Sequence, residues 1–589
     1  METKEKLVTL FREVLRELEL PDERLVISHP DLSRGDYSTN IAMLLAKKGE
    51  EAETLAQKIK TILESKQSGD LVDRFDVLRP GFINIFLTKK ELVRQLDEVL
   101  KTDQDYAKNE SLAGKKWMVE FAHPNTLKEF HIGHLRNITL GESLCRLFTL
   151  SGVGVIRANY QGDVGLHIAK ALWGVQQLGI KDFPTVQEKA AFLAKAYVLG
   201  NKEYNDSLGH KSDIEEINKK LYAGDKKLSQ LWEKTRAWSL EYFDVIYKRL
   251  GTRFDRLYFE SETAQIGKDS IERYLDTVFK EDEGAIIFPG EQYGLHNRVF
   301  ITSRGIPTYE AKDIGLAQLQ FSEHNPARII HVVGPEQTEY FKVVFAALER
   351  VLPKSKGKEY HVRYGWVRLK TGKMSSRTGD VVSAVWLLDE VKARLKKAYK
   401  MEEDVAEKVA VGAVKHSMLR MSPESEIVFD INQSIRLDGD SGPYLQYTYA
   451  RCRSVLRKST TDYGNKLTAN SLQTKADSTV DDKLNAVSQT VDGLSTVELK
   501  SEELALLRTF YKFPEVVEDA AHNYAPNLLC NFLYDLASKY NLMYNNLPIL
   551  EQRTKDKEQS NLRLALTFAT AQILKTGLGL LGIETPERM

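Results

Sequence analysis

The pattern of apolar and polar positions divides the chain into three regions of different character. Over residues 4–18, Leu, Val and Phe recur at helix spacing among charged residues, which predicts an amphipathic helix. Asp36-Tyr-Ser-Thr-Asn40 supplies caps for a second helix over 41–48. Residues 75–78 and 82–87 read as strands broken by Pro80-Gly81, in a small α/β module that ends near residue 108. A β-favouring apolar run over 117–122 then predicts a buried strand that Pro124 terminates. From Ile132 the pattern turns helical: Ile132, Leu135, Ile138 and Leu144 fall at helix spacing, with little to break the run before Gly152. A second strand follows over 153–160.

Strand, helix, strand is a βαβ unit, the expected opening of a doubly wound parallel sheet whose ligands bind beyond the strand C-terminal ends. Residues 179–236 are polar and charged and read as an insertion on that sheet domain. A helix over 240–250 returns the chain to the core, and further sheet segments are predicted over 256–260, 299–301, 328–333 and 362–369. From residue 402 the pattern is helical, with Val405, Val409, Val414 and Met418 mostly on one face, and strand signals almost vanish after Val428. Residues 459–496, rich in Ser, Thr, Asp and Asn, read as a flexible insertion. Helices resume at 502, over 527–544 and over 562–581. The predicted fold is multidomain α/β plus all-α: a small α+β domain over 1–110, a Rossmann-type doubly wound parallel sheet over 111–400, and a helical bundle over 401–589.

Composition narrows the function classes. Lys and Arg balance Asp and Glu at 83 each, so no global field draws the chain to nucleic acid and any such contact must be local. The three cysteines, Cys145, Cys452 and Cys530, are far apart and form no C-x-x-C pair, which argues against a zinc knuckle or disulfide framework and fits a reducing compartment. The first twenty residues lack the apolar core of a signal peptide, and their acidic residues argue against a transit peptide. No apolar run is long enough to span a bilayer. A cytoplasmic protein is expected, with no membrane partner.

The chemistry concentrates at the entrance of the helix that starts at Ile132. His131 and His134 lie about one turn apart there, over unpaired backbone N–H groups and the positive end of the helix dipole, a setting that suits phosphate. Gly133 between them leaves room for a flat base to approach the backbone. The zinc-protease pattern spaces its histidines differently, and two capping or core histidines are the plain alternative. Tyr309 and Asp313 are four apart on a predicted helix, either a site pair or a surface tyrosine and a helix carboxylate. Gly334-Pro-Glu-Gln337 and Gln161-Gly-Asp-Val-Gly165 each follow a predicted strand. Lys370-Thr-Gly-Lys-Met-Ser-Ser-Arg-Thr-Gly-Asp380 is a positive, Gly- and Ser-containing loop suited to clamping a leaving pyrophosphate, or a solvated basic turn. Tyr444, Tyr447 and Arg451 share a helical face, as an RNA-stacking stripe or a packed aromatic core.

Glu120-Phe-Ala-His-Pro-Asn-Thr-Leu-Lys-Glu-Phe-His-Ile-Gly-His-Leu-Arg136 resembles the H-I-G-H element of class I aminoacyl-tRNA synthetases, in the form used by arginyl-tRNA synthetases. Lys373-Met-Ser-Ser-Arg377 resembles the K-M-S-K-S loop that accompanies it. Ser33-Arg-Gly-Asp-Tyr-Ser-Thr-Asn40 and Arg79-Pro-Gly-Phe-Ile-Asn84 are similar to the N-terminal domain of arginyl enzymes, which reaches the tRNA elbow. Gly442-Pro-Tyr-Leu-Gln-Tyr and the terminal Pro-Glu-Arg-Met589 resemble their anticodon-binding domain. Two positions depart from the pattern: Val164 stands where Trp is commoner, and Ser376 replaces the second lysine of the loop, a loss shared by many arginyl enzymes that carry a lysine matching Lys128.

The resemblance implies ATP-dependent ligation of L-arginine to tRNA(Arg), with Mg²⁺ arriving on ATP and no structural metal. It implies catalytic roles for His131, His134, Lys128 and Lys373, and ATP contacts from His131, Gly133, His134, Gly334 and Lys373. It places arginine against Asn125, Glu262, Tyr309, Asp313 and Gln337, with Glu262 and Asp313 as the carboxylates a guanidinium needs. It places tRNA against Tyr444, Tyr447, Arg451, Tyr540, Tyr544 and Met589. A monomer is expected. A small-molecule nucleotidyltransferase would not need the helical third, and a non-catalytic tRNA-binding relative would not need the intact histidines.

Overall fold

In the computed structural model, which describes residues 2–31, 34–47, 51–66, 69–102, 105–370, 382–459, 497–550 and 556–589, helix α1 (Glu2–Glu17) buries Leu7, Phe11, Val14 and Leu15, the stripe its spacing predicts. Strand β1 (Tyr37–Thr39), helices α2 (Ile41–Leu45) and α3 (Ala52–Lys66), strands β2 (Val72–Leu78) and β3 (Phe82–Leu87) and helix α4 (Lys89–Thr102) complete the N-terminal module. Its antiparallel sheet runs β1-β3-β2.

Strand β4 (Lys116–Glu120), helix α5 (Ile132–Leu150) and strand β5 (Gly154–Gln161) form the predicted βαβ unit. Helix α6 (Leu166–Leu178) follows, then α7 (Val186–Asp206), α8 (Leu208–Tyr222) and α9 (Lys226–Arg249). The segment expected to be a peripheral insertion is thus helical, with a core of its own that includes Leu172, Leu193, Ile214, Ile217 and Trp238. Its last helix does not stop at 236 but continues as a single 24-residue element that buries Phe243, Ile246 and Tyr247 in the main core. Strand β6 (Arg256–Phe259) runs straight into α10 (Glu260–Arg273). A three-stranded antiparallel sheet of β7 (Lys280–Asp282), β8 (Ala285–Phe288) and β9 (Arg298–Ile301) precedes α11 (Tyr309–Glu323), β10 (Arg328–Val333), α12 (Thr338–Val351) and β11 (Glu359–Arg363).

The central sheet is five-stranded, ordered β11-β10-β4-β5-β6, and every pairing in it is parallel. The strand expected over 362–369 divides. Residues 359–363 stay in the sheet, while β12 (Val367–Leu369) leaves it to pair in parallel with β13 (Ile427–Phe429). Gly365 permits the departure, because a Cβ there would lie 2.3 Å from the Ser425 carbonyl oxygen. Helices α10 and α11 touch backbone to backbone for a similar reason: a Cβ on Gly267 would sit 1.9 Å from the Ala311 carbonyl, and one on Gly315 would sit 2.2 Å from that of Thr263.

Between β12 and β13 the chain forms α13 (Ala384–Tyr399) and α14 (Glu403–Leu419). After β13 come α15 (Ile431–Ser434), α16 (Gly442–Lys458), α17 (Ser501–Phe510), α18 (Phe513–His522), α19 (Pro526–Asn546) and α20 (Lys557–Leu580). Arg136 on α5 fastens the sheet's first crossover helix to the end of α14. Its buried guanidinium donates to the carbonyls of Met418 at 2.5 Å and Pro423 at 2.6 Å, with Ser425 at 3.2 Å, around the C-terminal end of α14. The loop 371–381 and residues 460–496, hence Lys373 and the expected flexible insertion, lie outside the described residues. Among the described residues no helix is long and apolar enough to cross a membrane.

The N-terminal module rests on α17 and α18 through buried charge. Glu515 accepts hydrogen bonds from Lys4 Nζ at 2.9 Å and Tyr37 Oη at 2.7 Å, and lies 3.1 Å from His29 Nε2. Asp36 accepts from the Leu87 amide at 2.8 Å and sits 3.1 Å from Arg508 Nε. Although burial opposes ionisation of Glu515, its partners, led by His29, carry its pKa down from the ordinary 4.5 to about 2. The unfolded carboxyl therefore takes up its proton first as pH falls. The stabilisation is whole above about pH 4.5 and gone by about pH 2, and corresponds to roughly 3 kcal/mol. Glu515→Gln is expected to lower the unfolding free energy at pH 7 by an amount of that order and to flatten the acid limb of stability, as read from urea denaturation series at pH 7 and pH 3.

Candidate active site at the carboxyl edge of the parallel sheet

The loop after β4 is held in an uncommon conformation. Ala122, His123 and Leu127 all have positive φ, at 79°, 46° and 63°, a region that non-glycine residues seldom occupy. The loop zips onto the one after β5: the Thr126 amide donates to the Gly162 carbonyl at 2.8 Å and the Gly162 amide to that of Pro124 at 3.1 Å. Gly162 leaves room for the Asn125 side chain, whose Oδ1 would lie 2.2 Å from a Cβ there.

The loop delivers the chain to the N-terminus of α5. His131 is the N-cap, and its Nδ1 accepts from the Gly133 amide at 3.1 Å, while His134 Nδ1 accepts from the His131 amide at 3.1 Å. The rings lie 3.9 Å apart. Capping is therefore real, and it has a chemical consequence. With both Nδ1 atoms accepting from amides, each neutral ring carries its proton on Nε2. Burial pushes the His131 imidazole down to about 4, with Lys128 adding to the effect, and holds His134 well below the usual histidine range. The pair thus offers two neutral N–H donors rather than two cations. Lys128 supplies positive charge beside them, with Nζ 4.4 Å from the centroid of the Tyr197 ring on α7.

A cavity of about 450 Å³ opens at the same sheet edge, and Asn125, Tyr309, Asp313, Gln337, Glu120, Glu260 and Tyr340 are among its lining residues. Four of the five residues expected around the amino acid are thereby brought together. Glu262 is not among them. As the third residue of α10 it folds back to accept from the Phe259 amide at 2.9 Å and pairs with Arg256 at 3.3 Å, on the outer side of the helix start. The carboxylates on the cavity wall are instead Glu120, at the end of β4, and Glu260, Glu310, Asp313, Glu336 and Glu359.

Most of these acids lie against a cation. Glu260 is buried against Lys312 Nζ at 2.5 Å, and Arg298 lies 3.0 Å from Glu310. Glu120 lies 3.1 Å from His331 Nδ1. Asp313 differs: its Oδ2 accepts from the Tyr340 hydroxyl at 2.7 Å, and among the described residues it has no ion-pair partner. Burial raises its pKa to about 7. Tyr309 is 55% exposed at the rim, with Lys312 Nζ 4.9 Å from its ring centroid. Gly334 ends β10 beside this cavity.

The Gly-Asp-Val-Gly turn braces the site. Asp163 is fully buried, accepts from the Ser261 amide at 2.9 Å and its hydroxyl at 2.7 Å, and meets Arg236 of α9 at 2.9 Å. Trp232 Nε1 donates to the Asp163 carbonyl at 2.7 Å. Sequence reasoning did not place Glu120, Glu260, Lys312 or Asp163 in the site. The end of a predicted buried strand was the available signal for Glu120.

In the helical third, a second cavity, of about 660 Å³, is lined by Tyr447, Arg451, Tyr544, Arg588 and Met589 among others. The Arg451 guanidinium lies between two rings, 4.9 Å from the centroid of Tyr447 and 4.7 Å from that of Tyr544. Tyr444 stands aside, accepting from Asn541 Nδ2 at 2.9 Å and packing on Tyr534. Tyr540, expected to meet RNA, is 0% exposed: it continues the inward stripe of Leu529, Leu533 and Leu536 and is core. Among the described residues no cluster of three or more His, Cys, Asp or Glu is placed to hold a metal.

Three family models match the chain: the N-terminal domain of arginyl-tRNA synthetase over residues 5–87, the class I (R) tRNA synthetase catalytic domain over 95–431, and the DALR anticodon-binding domain over 445–589. The chain is 36% identical to an arginine–tRNA ligase of Treponema denticola, over 86% of this chain and 85% of that protein. It is 30% identical to one from Bacteroides fragilis, over 92% of each. Its fold matches that of the Thermus thermophilus arginyl-tRNA synthetase with a TM-score of 0.76 at 24% identity, over 99% of this chain and 100% of that one. Strained loop, histidine-capped helix, acidic cavity and helical third thus meet in one chain, and that chain belongs to the arginyl-tRNA synthetases, the class I ligases for arginine.

Proposed function

We propose the following division of labour for arginine–tRNA ligation. The guanidinium of L-arginine occupies the cavity against Asp313, with Tyr309 covering the aliphatic chain and Asn125 and Gln337 orienting the α-amino and carboxylate groups. The arginine carboxylate attacks the α-phosphorus of ATP, and the bond to the bridging oxygen breaks to release pyrophosphate. The Nε2–H groups of His131 and His134 donate to the phosphate oxygens as charge moves onto them, next to Gly133 and the α5 dipole, and Gly334 borders the nucleotide. Lys128 and Lys373 provide the cationic clamp, and Mg²⁺ arrives with ATP. Arginine then passes to a ribose hydroxyl of the 3′-terminal adenosine of tRNA(Arg). An unpaired anticodon base seats among Tyr447, Arg451, Tyr544 and Met589, with Tyr444 behind them. Arginine activation requires bound tRNA, and the enzyme works as a cytoplasmic monomer.

The observation that carries this reading is the charge balance of the cavity. Glu260 and Glu310 hold cations of their own, Glu120 and Glu359 share the one cation of His331, and Asp313 is left to a neutral hydroxyl. The buried acids outnumber the cations among them, and a guanidinium, which keeps its proton at any working pH, meets that need.

ATP–pyrophosphate exchange tests the reading as a whole. Exchange is expected with arginine and tRNA together; exchange indifferent to the amino acid would refute it. Because the Asp313 carboxyl sits near 7 and must be ionised to pair, the arginine KM should rise about tenfold between pH 8 and pH 6. Asp313→Asn is expected to raise that KM at pH 8 by at least two orders of magnitude and to abolish its pH dependence. Lys128→Ala is expected to slow single-turnover adenylate formation by about a hundredfold while leaving the arginine KM near its original value; an unaltered rate would remove Lys128 from the mechanism.

A further inference from the structure

The inner end of the acidic cavity holds a side-chain cluster to which the reaction as described gives no role. Glu120, His331 and Glu359 stand on β4, β10 and β11, three neighbouring strands, and share one face of the sheet: His331 is the register partner of Glu120, and Glu359 is that of Ile329, two residues before His331. His331 Nδ1 lies 3.1 Å from Glu120 Oε1 and its Nε2 lies 2.7 Å from Glu359 Oε2. The side chains of Glu120, His331 and Glu359 are only 4%, 7% and 4% exposed. All three residues line the cavity that contains Asp313.

A ring with a carboxylate at each nitrogen can satisfy both only by donating from both, which makes it an imidazolium. Burial alone would lower its basicity, but the two carboxylates more than offset that and raise His331 to about 10. Among the described residues no other cation shares the task. His123 comes within 3.8 Å of Glu120 but burial depresses its basicity, and Gln320 reaches the other Glu120 oxygen, at 2.5 Å, as a neutral amide. The second oxygen of Glu359 has no hydrogen-bond partner among the described residues. Phe341 and Phe345 pack beside the imidazole ring, at centroid distances of 5.2 and 5.6 Å.

We propose that His331 is a specificity-determining positioning residue for the amino acid: bridging Glu120 and Glu359 as a cation, it keeps Glu120 ionised and fixed at the cavity wall, so that the cavity admits a guanidinium and refuses its neutral urea counterpart, citrulline. The proposal rests on the reading that this cavity takes the arginine side chain. Its logic is one of protons. Two carboxylates flanking an uncharged side chain cannot both stay ionised in a buried site, so one takes up a proton. A protonated carboxyl donates a hydrogen bond, which the urea oxygen of citrulline accepts and a guanidinium, having donors only, does not. The charge on His331 therefore governs discrimination as well as affinity.

The test uses the full-length enzyme with tRNA present and compares His331→Asn with wild type in amino-acid-dependent ATP–pyrophosphate exchange. The expected result is an arginine KM raised at least tenfold, an ATP KM within twofold of wild type, and a ratio of kcat/KM for arginine over citrulline reduced at least tenfold. An unchanged ratio overturns the proposal, whatever happens to kcat. If His331→Asn loses its cooperative melt, His331→Gln, which removes the same cation with a longer neutral amide, takes its place; the same ratio should fall at least tenfold, and constancy again overturns the proposal. Asp313→Asn run in parallel separates the two ideas. If it leaves the arginine KM unchanged, the cavity is not the arginine site and both fall. If it raises that KM while His331→Asn leaves the ratio untouched, only the role of His331 falls.

Discussion

A carboxylate removed from water needs a compensating charge, and the architecture of this sheet edge follows from that requirement. Glu260 finds Lys312 one helix away because Gly267 and Gly315 let α10 and α11 approach at backbone distance. Glu120 finds His331 because parallel register places them side by side. Glu310 takes Arg298 from the antiparallel sheet that β9 closes. Each pair spans two elements, so each fixes local geometry as well as charge. Asp313 has no such partner among the described residues and leans on the Tyr340 hydroxyl instead.

The histidine pair is prearranged by different means. Strain in the loop after β4, seen in three positive φ angles at non-glycine residues, is held by the backbone bonds to Gly162 and by the clamp on the Gly-Asp-Val-Gly turn. The histidines spend their Nδ1 atoms on capping, which fixes ring orientation and tautomer before any substrate arrives. Donors already aimed and already neutral need no reorganisation when charge builds on phosphate.

Periodicity made the architecture legible where elements bury a single face. The βαβ unit, the strand over 328–333 and the helix opening at Gly442 stand where the apolar pattern puts them. The helices over 186–222 were obscure because they pack on one another around a small core and keep long polar faces. The site was half legible. Motif residues such as His131, Asn125 and Asp313 are recognisable from their neighbours in sequence. Glu120, Lys312 and His331 act through partners on other strands and helices, and a linear pattern does not carry that information. Glu262 shows the converse: in a single sequence, a carboxylate just beyond a strand end looks the same whether it faces a substrate or caps the helix it opens. Tyr540 was misplaced because a helical aromatic pair reads alike from either side, and only the packing of α19 decides which ring faces inward.

Arg136 has a mechanical meaning. Its guanidinium is held by main-chain carbonyls around the end of α14 and, among the described residues, by no carboxylate, so the bond is to the frame of the chain and not to a side chain that can swing away. The same rod, α5, carries the histidine pair on its first turn. Arg136 itself lies little more than a turn further along, so the anchor and the two histidines occupy the same end of the helix: the aim of the imidazoles is set by main chain remote in sequence, and whatever displaces the end of α14 displaces them too.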